Sequence, residues 1–163
     1  MPLRVLISGA NRGLGLEFTR QFIGRGAIVF AGCRNPHQGG GLQGMGRQNL
    51  TALHVIELDV TSQKSVERAR DAISESTTGL DLLINNAALN PRGEKAATLD
   101  LDIMREVFDV NVLGPLRMAQ AFLPLLRAGQ SPKIINISSQ LGSLTRATWK
   151  SGYSYSGSKA ALN

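Results

Sequence analysis

The sequence predicts an α/β fold built on a doubly wound parallel sheet, and three observations carry that expectation. Strand-like and helix-like patterns alternate along the chain from Leu3 onward, which is how a sheet acquires helices on both faces through right-handed crossovers. The opening run, Leu3-Arg4-Val5-Leu6-Ile7, is short, aliphatic and β-branched, as a buried parallel strand should be. It is joined to the first helical stretch by a turn with three glycines, Ser8-Gly9-Ala10-Asn11-Arg12-Gly13-Leu14-Gly15.

After that turn, Leu14, Phe18 and Phe22 stand four apart and give the first helix an apolar face. Ala27 to Cys33 reads as the second buried strand, ending at Arg34. Between Asn35 and Asn49, Gly39, Gly40, Gly41, Gly44 and Gly46 crowd the place of the second crossover helix. Each interior glycine costs a helix about 1 kcal/mol relative to alanine, so a loop or a short, poorly ordered helix is expected there. Leu53 to Leu58 forms the third strand, closed by Asp59-Val60. Thr61 or Ser62 then caps a helix running to about Glu75, with Val66, Ala69 and Ile73 on one face.

Leu80 to Ile84 is the fourth strand and ends in Asn85-Asn86-Ala87-Ala88. The longest helical pattern spans Leu99 to Leu126, with Asp100 as its cap. Its apolar positions are Ile103, Met104, Val107, Phe108, Leu116, Ala119, Phe122 and Leu123, and Gly114-Pro115 predicts a kink. Lys133 to Ile137 is the fifth strand. It leads to Ser138-Ser139-Gln140-Leu141-Gly142 and then to a polar loop that delivers Ser151-Gly152-Tyr153-Ser154-Tyr155-Ser156-Gly157-Ser158-Lys159. No repeat or low-complexity linker divides the chain, so residues 1-163 are read as a single domain.

Composition narrows the function. With 42% hydrophobic and 18% charged residues, the chain is that of a soluble globular protein. No apolar run approaches the roughly 18 residues of a membrane span. The first strand begins too early for a signal peptide, so a cytoplasmic location is expected. Cys33 is alone and cannot form an internal disulfide, and with His37 and His54 the only histidines, no metal-ligand cluster is expected. The net charge of +6 is spread along the chain without a dense basic run, which fits an anionic small ligand better than nucleic acid.

A strand, a glycine turn and a helix together make an anion site. Glycines let the backbone approach a phosphate, and the helix N-terminus offers free N-H groups and positive potential. The natural ligand is a nucleotide diphosphate. At the tip of the second strand of such a fold, an acid binds the ribose 2'-hydroxyl, whereas Arg accommodates a 2'-phosphate. Arg34 stands there and Arg12 lies in the turn, so NADP is favoured over NAD.

The spacing of Gly9, Gly13 and Gly15, G-x-x-x-G-x-G, resembles the short-chain dehydrogenase/reductase family, a Rossmann-type fold. So do Asp59-Val60, Asn85-Asn86-Ala87, Asn111-Val112-Leu113-Gly114, Ser139-Gln140-Leu141-Gly142 and Tyr155-x-x-x-Lys159, in the family's order. The resemblance covers essentially the whole chain. It is nearest to the carbonyl-reductase-like branch through Asn11 to Glu17, Cys33 to Pro36 and Ser138 to Ser143. It implies cofactor contacts at Gly9, Asn11, Arg12, Gly13, Leu14, Gly15, Arg34, Asp59, Val60, Asn86, Ala87, Tyr155 and Lys159. Asn86 would support the sheet and line the adenosine ribose. Ala88 departs from the family's glycine and is expected to crowd the turn slightly.

The chemistry is legible in the spacing of Tyr155 and Lys159, which share a helical face. A free phenol titrates near 10, too high for efficient proton transfer at neutral pH, and a nearby ammonium lowers that value. Tyr153 is the rival, but it lies six positions from Lys159. Ser139, at a strand's carboxyl end, is placed to hold a carbonyl oxygen. Ser138 is its rival, and the family's Ser-x-x-Gly pattern favours Ser139. The resemblance makes Asn111 the fourth catalytic residue, bending its helix and holding a water in a proton relay.

The expected activity is NADP(H)-dependent interconversion of a carbonyl compound and an alcohol. A sugar-nucleotide epimerase would require G-x-x-G-x-x-G and a second lobe. A catalytically silent NADP(H)-binding regulatory protein is the other reading, weakened by the presence of all four catalytic residues. Family members continue past the Tyr-x-x-x-Lys helix, so the resemblance implies the N-terminal portion of a longer reductase, with a sheet incomplete at its C-terminal end. It also implies a homodimer or homotetramer formed through the Asn111 and Tyr155 helices.

Overall fold

Alternate side chains of a strand point to opposite faces, and β1 (Arg4–Ser8) shows both faces covered. Val5 and Ile7 enter one apolar cluster while Leu6 enters another. The computed structural model describes residues 1-37, 40-48, 51-146 and 152-163. Gly39, Asn49 and Ser151, named from the sequence, lie outside the described residues. The remaining strands are β2 (Ile28–Cys33), β3 (Leu53–Glu57), β4 (Leu82–Asn85) and β5 (Lys133–Asn136). They form one parallel sheet in the order β3-β2-β1-β4-β5. The chain reverses direction across the sheet between β1 and β4, the crevice where such folds bind ligands.

Helices cover both faces. On the Val5/Ile7 face lie α1 (Gly13–Gly24) and α2 (Gly40–Gln48), through Phe18, Phe22 and Leu42. On the Leu6 face lie α3 (Gln63–Ser76) and α5 (Gly114–Arg127), through Val66, Ala69, Ile73, Met118 and Phe122. Ser62 rather than Thr61 caps α3, its side chain accepting from the Ser65 N-H at 3.3 Å. At the sheet's other end, Asp81 joins Arg4 in a pair whose Nη2–Oδ1 distance is 2.8 Å.

Two expectations are corrected, and a third resolves to one of its alternatives. The glycine-rich segment is the short helix rather than the loop: α2 has nine residues, held by burial of Leu42 to 2% exposure. Tertiary packing of one leucine offsets the low intrinsic helicity of its neighbours. Leu14 is not on the apolar face of α1 but is 61% exposed in its first turn. Lastly, the long helix is three pieces: α4 (Leu101–Phe108), a π-helical segment at Asp109–Leu113, and α5.

The break precedes Gly114-Pro115, because Pro115 sits in the first turn of α5, where its missing N-H has no partner to lose. A π segment adds a residue and rotates the downstream residues by about 100°, so one continuous apolar stripe cannot hold. Val107 and Phe122 of the expected stripe are buried, but Leu116 and Leu123, beyond the π segment, are 56% and 40% exposed. Met118, Ala121, Leu125 and Leu126 enter the core instead. Asp100 caps α4 as expected, accepting from the Asp102 and Ile103 N-H groups. The last helix is α6 (Tyr153–Leu162). β5 forms an edge of the sheet, with Ile134 and Ile135 about two-fifths exposed.

Candidate functional site

A cavity of about 800 Å³ opens at the carboxyl ends of β1 to β4. Its floor is the glycine turn. A Cβ at residue 15 would fall 2.3 Å from the Gly9 carbonyl oxygen and 2.5 Å from Asn86 Nδ2, so only glycine lets α1 start this close to the strand ends. Asn86 locks the turn from the other side, donating from Nδ2 to the carbonyls of Ser8 and Gly9, each at 3.0 Å. Ser8 Oγ accepts from the N-H groups of Asn86 and Ala87, both at 3.1 Å. Arg12, the residue before α1, gives that helix no side-chain cap, and its first turn holds no acid. The helix N-terminus therefore faces the cavity with uncompensated N-H groups and positive potential.

Gly9, Asn11, Arg12, Gly13 and Leu14 line the cavity from the turn, Arg34 from the tip of β2, and Asp59 and Val60 from the end of β3. Asn86 and Ala87 line it from the end of β4. Gly15 lies beneath the turn. Arg12 and Arg34 are both exposed, and among the described residues neither has a carboxylate partner. Two free guanidiniums at one rim make a cationic end suited to a phosphate. Ala88 is exposed and its backbone lies outside the left-handed region, Ser131 being the one non-glycine with positive φ among the described residues.

Asn111, Ser139, Tyr155 and Lys159 do not line this cavity. They gather beyond the end formed by Leu89 and Val110. The π segment turns Asn111 inward to 0% exposure. There its Oδ1 accepts from Leu89 N-H at 2.8 Å, and its Nδ2 donates to the Leu89 carbonyl and to Ser158 Oγ, each at 2.9 Å. A single buried amide thus joins the loop after β4 to α6.

Lys159 is 3% exposed, and its Nζ donates to the Ile137 carbonyl at 2.7 Å and lies 5.7 Å from the centre of the Tyr155 ring. Burial pushes its ammonium below the ordinary lysine value. Ser139 Oγ accepts from Leu141 N-H at 3.2 Å, capping the 3-10 turn Gln140–Gly142. Among the described residues its own O-H has no acceptor. That turn lies against α6 so closely that a Cβ at residue 142 would come 2.7 Å from the Lys159 carbonyl carbon, which gives the Ser-x-x-Gly spacing a physical reason. The rival Ser138 bonds instead to Asn163, and the rival Tyr153 is 40% exposed.

Sequence reasoning passed over Cys33, Asn35, Leu58, Thr61, Leu89 and Val110, all of which line the cavity. Most flank residues that the motifs name, and that adjacency was the available signal. Thr61 had a clearer one: Asp59-x-Thr61 is a turn spacing, and Asp59 Oδ1 accepts from Thr61 N-H at 2.9 Å and Oγ1 at 2.7 Å. Burial raises the Cys33 thiol above its usual value. Among the described residues no three His, Cys, Asp or Glu side chains gather to hold a metal ion, and no helix is long and apolar enough to cross a membrane.

The family profile described as short chain dehydrogenase matches residues 4-163. An uncharacterized oxidoreductase of Schizosaccharomyces pombe is 36% identical over 159 residues, which are 96% of this chain and 62% of the relative. The chain therefore spans about 62% of the length of that curated relative. An NADPH-bound carbonyl reductase from chicken fatty liver superposes with a TM-score of 0.91 at 35% identity, covering 99% of this chain and 71% of that one. The carbonyl reductase Sniffer of D. melanogaster superposes with a TM-score of 0.92 at 29% identity, with the same two coverages, 99% and 71%.

Proposed function

This chain belongs to the short-chain dehydrogenase family, and from that premise we propose that it is an NADP(H)-dependent oxidoreductase interconverting an aldehyde or ketone with its alcohol. The observation that carries the reading is the junction of two features. A phosphate-suited cavity with two free guanidiniums at its rim adjoins a cluster holding a phenol, a buried ammonium and an inward amide. The residues present fit the cofactor: the cradle under Gly15 leaves no room for a side chain, and the start of α1 offers its N-H groups to a diphosphate.

NADPH, when bound, supplies the hydride. The chain's own residues do the rest. Gly9, Asn11, Gly13, Leu14 and Gly15 hold the diphosphate, and Arg12 and Arg34 receive the 2'-phosphate. Asp59, Val60, Asn86 and Ala87 form the wall for the adenosine. Ser139 donates a hydrogen bond from its hydroxyl to the substrate carbonyl oxygen, keeping its own proton, and stabilises the charge that develops there. Tyr155 gives its phenolic proton to that oxygen, and Lys159, held at the Ile137 carbonyl, favours the phenolate that remains and contacts the nicotinamide ribose. Asn111 holds the water through which the phenolate is reprotonated.

The partner of the reaction is a small carbonyl compound, and the site of action is the cytoplasm. Leu113, Leu116 and Leu123, exposed at 47%, 56% and 40% around α5, support self-association through that helix into a homodimer or homotetramer. The function is tested by following NADPH oxidation with a panel of aldehydes and ketones. Turnover should fall by about 10² to 10⁴ in Tyr155→Phe, with NADPH affinity retained. Turnover in the variant equal to the parent's would sink the reading.

A further inference from the structure

The helix that carries Tyr155 and Lys159 starts without a cap of its own. Its N-cap position is Gly152, which has no side chain, and the first bond within the helix is Ser156 N-H to the Gly152 carbonyl at 3.0 Å. The N-H groups of the first turn need partners from elsewhere. Sixty residues earlier in the chain, Glu94 supplies one. Its Oε2 accepts from Ser154 N-H at 3.0 Å and its Oε1 from Ser154 Oγ. Ser154 is 0% exposed, so water does not compete for these groups, and a carboxylate at a helix N-terminus is favoured electrostatically as well.

Tyr155 is thereby bracketed. The residue before it is held by Glu94. Ser158, three after it, is held by Asn111 and donates back to the Tyr155 carbonyl at 2.6 Å. The loop after β4 runs between the same two anchors, from Leu89 on Asn111 to Glu94 on Ser154.

We propose that Glu94 is a positioning residue, a cap supplied from a distant part of the same chain by the loop after β4, which fixes the first turn of α6 and with it the phenol of Tyr155. The proposal rests on the reading of Tyr155 as the proton donor. It makes the loop that borders the cofactor cavity also the element that sets the proton donor.

The test compares the 163-residue chain with Glu94→Ala and Glu94→Gln, by hydrogen exchange and by NADPH-dependent aldehyde reduction. Glu94→Ala should speed exchange of the α6 first-turn amides about 10-fold while peptides from β1 to β4 stay unchanged. It should lower kcat by about the same factor with the KM for NADPH within about twofold. Glu94→Gln should restore both to within about threefold, because its amide oxygen accepts from Ser154 N-H and its NH₂ donates to Ser154 Oγ. Unchanged α6 exchange in Glu94→Ala would overturn the assignment. So would equal acceleration in every element, or a loss of kcat that Gln does not repair. If the parent chain turns over no carbonyl compound, the functional reading fails by itself, and the exchange comparison alone decides whether Glu94 holds the helix.

Discussion

At the scale of single residues, the motifs name chemistry and the structure adds the reason for their spacing. Gly15 was legible from the motif, but the cause of its being glycine is the Gly9 carbonyl 2.3 Å from where a Cβ would lie. Gly15→Ala should cost about 1 to 3 kcal/mol by overpacking and weaken nucleotide binding, measured by urea denaturation and by NADPH fluorescence. Asp81 was not legible, because nothing in Leu80-Asp81-Leu82 says that its carboxylate meets Arg4 77 residues away. Hydrogen bonds from Arg4 first, and then from the Gln130 and Arg4 backbone, hold its pKa at about 2, against the ordinary 3.8. A carboxylate lowered in the folded state stabilises the fold above about pH 4, and that contribution fades as pH falls toward 2. It is worth on the order of 2 kcal/mol. Asp81→Asn should lose about that much at pH 7, and its stability should change less than the parent's between pH 4 and pH 2, as followed by urea denaturation across that range.

At the scale of elements, strands were read more faithfully than helices. β1 to β5 fall within about two residues of their expected ends, since aliphatic runs in a buried parallel sheet leave little choice. The stretch from Leu99 to Leu126 misled for a reason: a helical period cannot reveal a π segment, whose extra residue shifts the buried face from Leu116 and Leu123 to Met118, Leu125 and Leu126. What that irregularity accomplishes is the inward amide of Asn111, which satisfies Leu89 and Ser158 together. Asn111→Ala orphans the Leu89 N-H and carbonyl groups in a half-buried setting, and should destabilise by about 1 to 3 kcal/mol. It should also loosen α6, so exchange in Tyr153–Leu162 should rise more than in α3. Equal changes in the two helices would count against Asn111 as the tie.

At the scale of the whole molecule, the strand order β3-β2-β1-β4-β5 puts the glycine turn, the tip of β2 and the end of β4 around one crevice. Alternation of patterns in the sequence was enough to foresee this architecture. It was not enough to foresee Leu89, Thr61 or Glu94, because loops carry no period and their partners are fixed only when distant elements meet. Central to the proposed function is the binding of a nicotinamide dinucleotide in this crevice by its 2'-phosphate. The most direct test is an equilibrium titration of the chain with NADPH and NADH, followed by nicotinamide fluorescence, in the parent and in Arg34→Asp. The expected result is NADPH binding about tenfold or more tighter than NADH, a preference that Arg34→Asp removes. Equal affinity for the two nucleotides, or no binding of either, would contradict it.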